Sequence, residues 1–396
     1  MKVLIDELKC TGCSACFNVC PQKCINMLQN EEGFFYPTID STNCIDCGAC
    51  KSVCPVLRDD FADAFNSPVA VAAYNNNRSV IENSSSGGIF TALSEYVISN
   101  GGVVYGAAFT DDFNVSHIRV DSIGDIALLK GSKYLQSFLG DALLQVKSDL
   151  KSGLKVLFSG TPCQIAGLRS FLKKPYDNLI CVDIICHSVP SSLVWQYYLK
   201  NAESVIGAEI QQVNFRDKRD NWQQYCMSIK SSSGEYVRKL DENAYMKAFL
   251  TGLSTRPSCY SCKFKGQNRG SDITIGDFWG CSDVCPEFVN DRGTSLVLLQ
   301  TEKGKIIFDC VKNNLNTLMV DHEQALAHNP AYYVAAKPHR NRAEFFSGLA
   351  SESFDALVER LTLPTAEEIA KLKKNNRPVK RILRKIKRVL HKFIKA

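Results

Sequence analysis

Residues 10–21 read CTGCSACFNVCP and residues 44–55 read CIDCGACKSVCP, so one C-x2-C-x2-C-x3-C-P run is written twice. Three thiolates at that spacing wrap one face of a cubane cluster, and the fourth, on the helix that follows, reaches the other cluster. The duplication therefore predicts two [4Fe–4S] clusters with crossed ligands: Cys10, Cys13, Cys16 and Cys54 on one, Cys44, Cys47, Cys50 and Cys20 on the other. Gly12, Ala15, Gly48 and Ala49 are small enough to let backbone amides approach the sulfurs. Pro21 and Pro55 stop each loop from continuing as helix. A pair of zinc sites is the weaker reading, because structural zinc takes two separated C-x2-C pairs. Cys24 is left over and reads as a small buried hydrophobe.

The chain has 396 residues, 45% of them apolar, which is enough for a full core and two or three domains. Eighteen cysteines in tight clusters, in a large chain with no basic-then-apolar leader, favour metal ligation over disulfides. With no apolar run of about eighteen residues, a soluble cytoplasmic protein is expected. The net charge of +6 misleads: residues 371–396 hold twelve Lys and Arg and no acid, leaving 35 basic against 41 acidic side chains elsewhere. A mildly acidic body argues against a nucleic-acid partner.

Residues 61–67 read as a polar linker, followed by a strand at 69–74 and a helix at 88–99. Apolar runs at 103–109, 154–159 and 179–185 read as buried strands, separated by helical patterns at 138–151, 164–173 and 191–202. That alternation predicts an α/β sheet. Period-two patterning over 210–240 predicts a β-hairpin insertion, then a helix at 242–251 and strands at 272–276 and 295–300. Ser85, Ser86, Gly87 and Gly88 stand between strand and helix, where exposed amides favour an anionic phosphate, although any Ser-rich helix cap looks the same. Lys130, Gly131, Ser132, Lys133 and Tyr134 add cations and hydroxyls suited to a second phosphate or a flavin edge, or else form a solvated loop.

Four body cysteines lie in loop contexts that invite ligation: Cys163 in GTPCQ, Cys186 before His187, and Cys259 with Cys262 in CYSC. Cys163 and Cys186 follow predicted strands, whose ends meet at one crevice of an open sheet, so the four can complete a third cubane cluster. Spacing alone favours zinc, because Cys259-x2-Cys262 precedes Cys281-x3-Cys285 at nearly ribbon spacing. Cys181, Cys226 and Cys310 read as buried structural thiols.

The first sixty residues look like a bacterial ferredoxin, and from residue 68 to about 346 the chain resembles the β subunit of coenzyme F420-reducing hydrogenase and its relatives. Those relatives include F420 dehydrogenase subunits and the plant enzyme that reduces 7-hydroxymethyl chlorophyll. The motifs that carry the resemblance are SSGG (85–88), GSKY (131–134), GTPCQ (160–164), CH before PSSLVW (186–195), FRDK (215–218) with Trp222, CYSC (259–262) and DITIGDFWG (272–280). The resemblance implies FAD on the SSGG and GSKY loops, and electrons passed between iron–sulfur clusters and a deazaflavin or another reducible substrate. It also implies a third [4Fe–4S] cluster on Cys163, Cys186, Cys259 and Cys262, and leaves Cys281 and Cys285 outside the shared motifs. Lys133, His187 and Asp277 are then candidates for binding or protonating near the flavin. Similar proteins occur in bacteria without F420, often beside polysaccharide genes, which leaves the substrate open.

The expected fold class is α+β / α/β: a bacterial-ferredoxin-like domain (1–60), an α/β flavin-binding domain with a β-hairpin insertion (68–346), and a helical C-terminal region with a basic amphipathic tail (347–396). In that last region Val379, Ile382, Leu383, Ile386, Val389, Leu390, Phe393 and Ile394 form an apolar stripe on a basic helix. A helix of this kind suits peripheral contact with the inner face of a membrane through residues 379–394, or docking on the acidic body. The expected function is an iron–sulfur flavoprotein oxidoreductase. Its expected partner is a redox protein (ferredoxin, or a hydrogenase or dehydrogenase subunit) or a reducible small molecule. The alternative is a non-catalytic electron-transfer subunit that relays electrons to a partner enzyme.

Overall fold

The computed structural model describes residues 4–58, 68–267, 269–365 and 367–370. The predicted linker at 61–67 and the amphipathic stripe at 379–394 lie outside the described residues. Among the described residues no helix is long and apolar enough to cross a membrane.

Each cluster loop of the N-terminal module turns into a short helix, Ala15–Val19 or Ala49–Ser52. Ser14 and Gly48 take the left-handed conformation at the entries, φ 58° and 71°, which bends the backbone around the cysteines. Strands β1 (Ile25–Gln29) and β2 (Phe35–Ile39) pair antiparallel beneath them.

The body contains β3 (Val69–Asn75), β4 (Val103–Phe109), β5 (Val115–Val120), β6 (Ser137–Phe138), β7 (Val156–Gly160) and β8 (Leu179–Ile184). These are followed by β9 (Ile210–Asp217), β10 (Cys226–Ser231), β11 (Gly234–Lys239), β12 (Ile273–Asp277), β13 (Ser295–Leu299) and β14 (Leu315–Val320). Nine of them make one sheet in the order β14-β3-β13-β12-β8-β7-β4-β5-β6. Its centre, β12-β8-β7-β4, is parallel, and its β3, β13 and β14 side is antiparallel. The central strands read as unbroken apolar runs because both faces are covered. Val71, Leu157 and Val182 pack on one apolar cluster, while Ala70 with Leu296, and Val156 with Phe158, pack on others.

The structure modifies the sequence reading in four places. The sheet is mixed, because β13 and β14 return antiparallel through connections the alternation did not reveal. The 210–240 region is a three-stranded antiparallel sheet, β11-β10-β9, not a single hairpin. The helix expected from 138 begins at Ala142, since Ser137 and Phe138 pair with β5 and Gly140 turns the chain at φ 46°. Cys310 is exposed, not buried, on the outer face of the helix Glu302–Val311.

The N-terminal module docks into the body. Ala15 and Val53 join the core of Leu143, Ile165 and Leu168. The buried guanidinium of Arg256 donates to Cys10 O (2.8 Å), Phe35 O (3.0 Å) and Gln136 Oε1 (3.1 Å), tying both parts of the module to the body. Arg342 makes a two-pronged ion pair with Glu32, at 2.6 Å on each arm. Gly167 allows the closest approach: a Cβ there would fall 2.9 Å from both Cβ and Sγ of Cys13. Gly167→Ala is therefore expected to cost about 1–3 kcal/mol of stability by overpacking. It should also perturb the EPR signal of the cluster expected on Cys13 while leaving that of the other expected N-terminal cluster unchanged.

Candidate redox site

In the N-terminal module one small apolar pocket is walled by Cys10, Cys13, Cys16 and Cys54, together with Leu4, Met27 and Pro37. Cys54 has crossed from the second loop to join three cysteines of the first. Cys20 sits in an apolar cluster with Cys44 and Cys50, while Cys47 is exposed. Cys24 is buried in that same cluster, its sulfur 3.4 Å from that of Cys20. Burial pushes the Cys13 thiol up to about 12, and it also raises Cys50 and Cys54.

The four body cysteines converge on a second pocket. Cys163 comes from the helix Pro162–Leu172, which starts straight after β7 under a Thr161/Gln164 capping box. Cys186 follows β8, and Cys259 and Cys262 lie on the turn Pro257–Ser261 and just beyond it. Arg256, Lys265, Arg269 and His187 complete the wall. Burial raises Cys163 to about 11 and Cys186 to about 12, with the other sulfurs of the set adding like-charge repulsion, and it raises Cys259 as well. Cys281 and Cys285 lie elsewhere, their sulfurs 3.7 Å apart in the apolar cluster of Phe278 and Leu296. The ribbon-like zinc arrangement suggested by spacing is therefore not assembled. Among the described residues no group of three or more His, Cys, Asp or Glu is arranged to hold a single metal ion.

The large cavity, about 300 Å³, opens at the C-terminal ends of β7, β8 and β12, where ligands bind in open α/β sheets. Its lining includes Ser85, Ser86, Gly88, Cys163, Asp277 and the whole run from Lys130 to Tyr134. The two loops are joined, because Ser132 donates to Ser85 Oγ from both its amide and its hydroxyl, at 2.8 Å each. Gly87 stands behind the wall, its amide already donating to Ser295 Oγ at 2.9 Å. A Cβ on Gly87 would meet Ala73 O at 2.4 Å, so the glycine serves the fold.

Lys133 donates to Leu128 O and Lys130 O, at 3.0 and 2.9 Å, and burial pulls its ammonium down to about 7. Asp277 is bound in two places by the buried Arg216, at 2.7 and 3.3 Å. Arg216 also donates to Tyr134 Oη at 3.2 Å and lies over the Tyr225 ring at 3.9 Å. Trp222 and Trp279 stack at 5.3 Å beside it. Asp277 thus borders the cavity with its carboxylate paired to Arg216. His187 lines the cysteine pocket instead of the cavity, packs edge-on against Phe249 at 5.2 Å, and is held below its usual range by burial and the Lys265 charge.

Sequence reasoning missed His117, Thr11 and Arg256. His117 lines the cavity with both ring nitrogens engaged, to Ser137 Oγ at 2.6 Å and Ser159 O at 2.8 Å, and burial lowers it to about 4. Thr11 lies between the first two cluster cysteines, a position that could have marked it. It lines all three pockets, and its Oγ1 is buried without a hydrogen-bond partner among the described residues.

Residues 9–57 match the model of the 4Fe-4S dicluster domain, which spans all eight N-terminal cluster cysteines. Residues 153–323 match the model for the C terminus of the coenzyme F420 hydrogenase/dehydrogenase beta subunit, which spans Cys163, Cys186, Cys259 and Cys262. The SSGG and GSKY loops precede that second match. Among solved structures, a chain of the F420-reducing [NiFe] hydrogenase complex from Methanosarcina barkeri is similar at 18% identity, covering 69% of this chain and 92% of that one with a TM-score of 0.46. No curated protein matches. The chain thus carries a 4Fe-4S dicluster domain, followed by a segment similar to the C terminus of the coenzyme F420 hydrogenase/dehydrogenase beta subunit.

Proposed function

We propose that the chain is an oxidoreductase that carries electrons between an external redox protein, met by the N-terminal clusters, and FAD seated in the large cavity. A third [4Fe–4S] cluster on Cys163, Cys186, Cys259 and Cys262 joins the two, and an organic substrate of the deazaflavin kind exchanges hydride at the cavity. The observation that carries this reading is the shared wall. Thr11 borders the first cysteine pocket, the body pocket and the cavity, and Cys163 borders both of the latter.

Clusters supply one-electron steps and a flavin supplies hydride chemistry when each is bound. The residues fit such groups. Cys163, Cys186, Cys259 and Cys262 border one pocket, a set of four thiols that iron binds as thiolates. The orphaned hydroxyl of Thr11 supplies a donor at the junction. Ser85 and Ser132 fix the two cavity loops against each other, and Arg216 holds Tyr134 and Asp277 in place behind them. Lys133 is the one side chain of the proposed catalytic set that borders the cavity with a proton free to move at neutral pH.

The test is the content of iron, acid-labile sulfide, zinc and flavin in one anaerobically purified sample of the full chain. About twelve iron, no zinc and one FAD per chain are expected. Eight iron with one zinc and no flavin would replace this reading by a zinc-stapled scaffold carrying two clusters. Turnover of a deazaflavin or dye by the purified chain with dithionite separates the oxidoreductase from a subunit that only relays electrons.

A further inference from the structure

The two cysteine pockets that share Thr11 differ in charge. The first is bordered by Leu4, Ile5, Met27, Pro37 and Val56, and among the described residues no ionisable side chain other than its cysteines lines it. Lys263 donates to Val56 O and Arg58 O from outside the lining, and its charge reaches Cys54. The body pocket is bordered by Arg256, Lys265 and Arg269. Not all three cations distinguish the two pockets. Arg256 donates to Cys10 O and so belongs to both. Arg269 is offset by Asp183, its Nε lying 2.8 Å from the carboxylate with both side chains fully buried. Lys265 is different, because its Nζ donates to Cys186 O and Ala331 O, at 2.6 Å each, and no carboxylate pairs with it among the described residues.

Adding an electron to a cluster adds negative charge, and a fixed cation nearby stabilises the reduced form most where the dielectric is low. We infer that Lys265 holds the body cluster at a higher reduction potential than the cluster on Cys10, Cys13, Cys16 and Cys54, so that electrons run from the N-terminal module toward the cavity. In that step one electron leaves the first cluster and one enters the body cluster. Arg269 adds a second influence of the same sign. Its Nε and Nη2 are bound to Asp183 and Ile184 O, and its Nη1 is buried without a partner at the pocket wall, left as a donor for a cluster sulfur. The inference rests on the third cluster proposed above.

The experiment is an EPR-monitored redox titration of the full holoprotein as wild type, Lys265→Gln and Lys265→Arg, with Cys262→Ser used to assign the body signal. In the wild type the body cluster is expected to reduce before the first cluster. Lys265→Gln is expected to lower its reduction equilibrium about tenfold, or about 59 mV for one electron, with the N-terminal signals unmoved. Lys265→Arg keeps the charge and is expected to keep the potential. A body cluster that reduces after the first in wild type, or that does not move in Lys265→Gln, overturns the inference. The wild-type order decides by itself if the glutamine variant loses the cluster. A wild type with no third signal at all instead overturns the four-cysteine reading on which the inference stands.

Discussion

Cys259→Ser is expected to lose about four of about twelve iron atoms, keep the FAD, and slow electron delivery from the N-terminal clusters to the flavin by more than about 100-fold. The floor on that effect comes from outer-shell residues, whose loss already costs about 10–100-fold at metal sites. Cys259 is the ligand of choice because it lies on the turn Pro257–Ser261, outside the sheet, so its replacement leaves the cavity walls in place. Direct photoreduction of the flavin, which bypasses the clusters, should stay at the wild-type rate. Twelve iron atoms in the variant, or unchanged delivery, would remove Cys259 from the ligand set and with it the proposed bridge between module and cavity.

The grouping of the N-terminal cysteines was legible because it is local: the eleven-residue run sets three cysteines together, and Cys54, from the second run, shares their pocket. The body set was half legible. Strand-end logic brought Cys163 and Cys186 together, but the ribbon spacing of Cys281 and Cys285 pointed elsewhere; the family resemblance set that pair aside, and the fold packs it against Phe278 and Leu296. Partners far apart in sequence leave no local sign. Arg216 lies 61 residues before Asp277, and nothing near Asp277 in the sequence marks the ion pair that holds its carboxylate. Arg256 lies 246 residues from Cys10, and nothing in the periodicity marks it as the bolt between module and body. The strands β5 and β14 were missed because neither is a continuous apolar run: β5, the antiparallel partner of the preceding β4, reads VSHIRV, and β14, with its exposed Met319, carries the mixed pattern of an outer strand.

Lys133→Met is expected to lower the rate of hydride exchange with the organic substrate by about 10²–10⁴-fold, the range of a positioned acid or base, and to remove a pH limb centred near 7. In the wild type burial pulls the Lys133 ammonium from 10.5 to about 7, so the protonated fraction falls as pH rises through neutrality, and a step that takes a proton from Nζ slows above it. The same shift fixes the sign of a second measurement. The unfolded chain holds the Lys133 proton up to about 10.5 and the folded chain only to about 7, so between these values unfolding takes up a proton and stability rises with pH. Below about 7 both states are protonated and the full cost of burying the cation is present. Chemical denaturation from pH 6 to 10 should therefore show a rising segment in the wild type that Lys133→Met lacks. Loss of the stability slope with the rate limb intact would mark Lys133 as a half-buried cation that holds Leu128 O and Lys130 O together and supplies no proton. Loss of both would make one ammonium the source of the proton and of the strain that keeps it ready to leave.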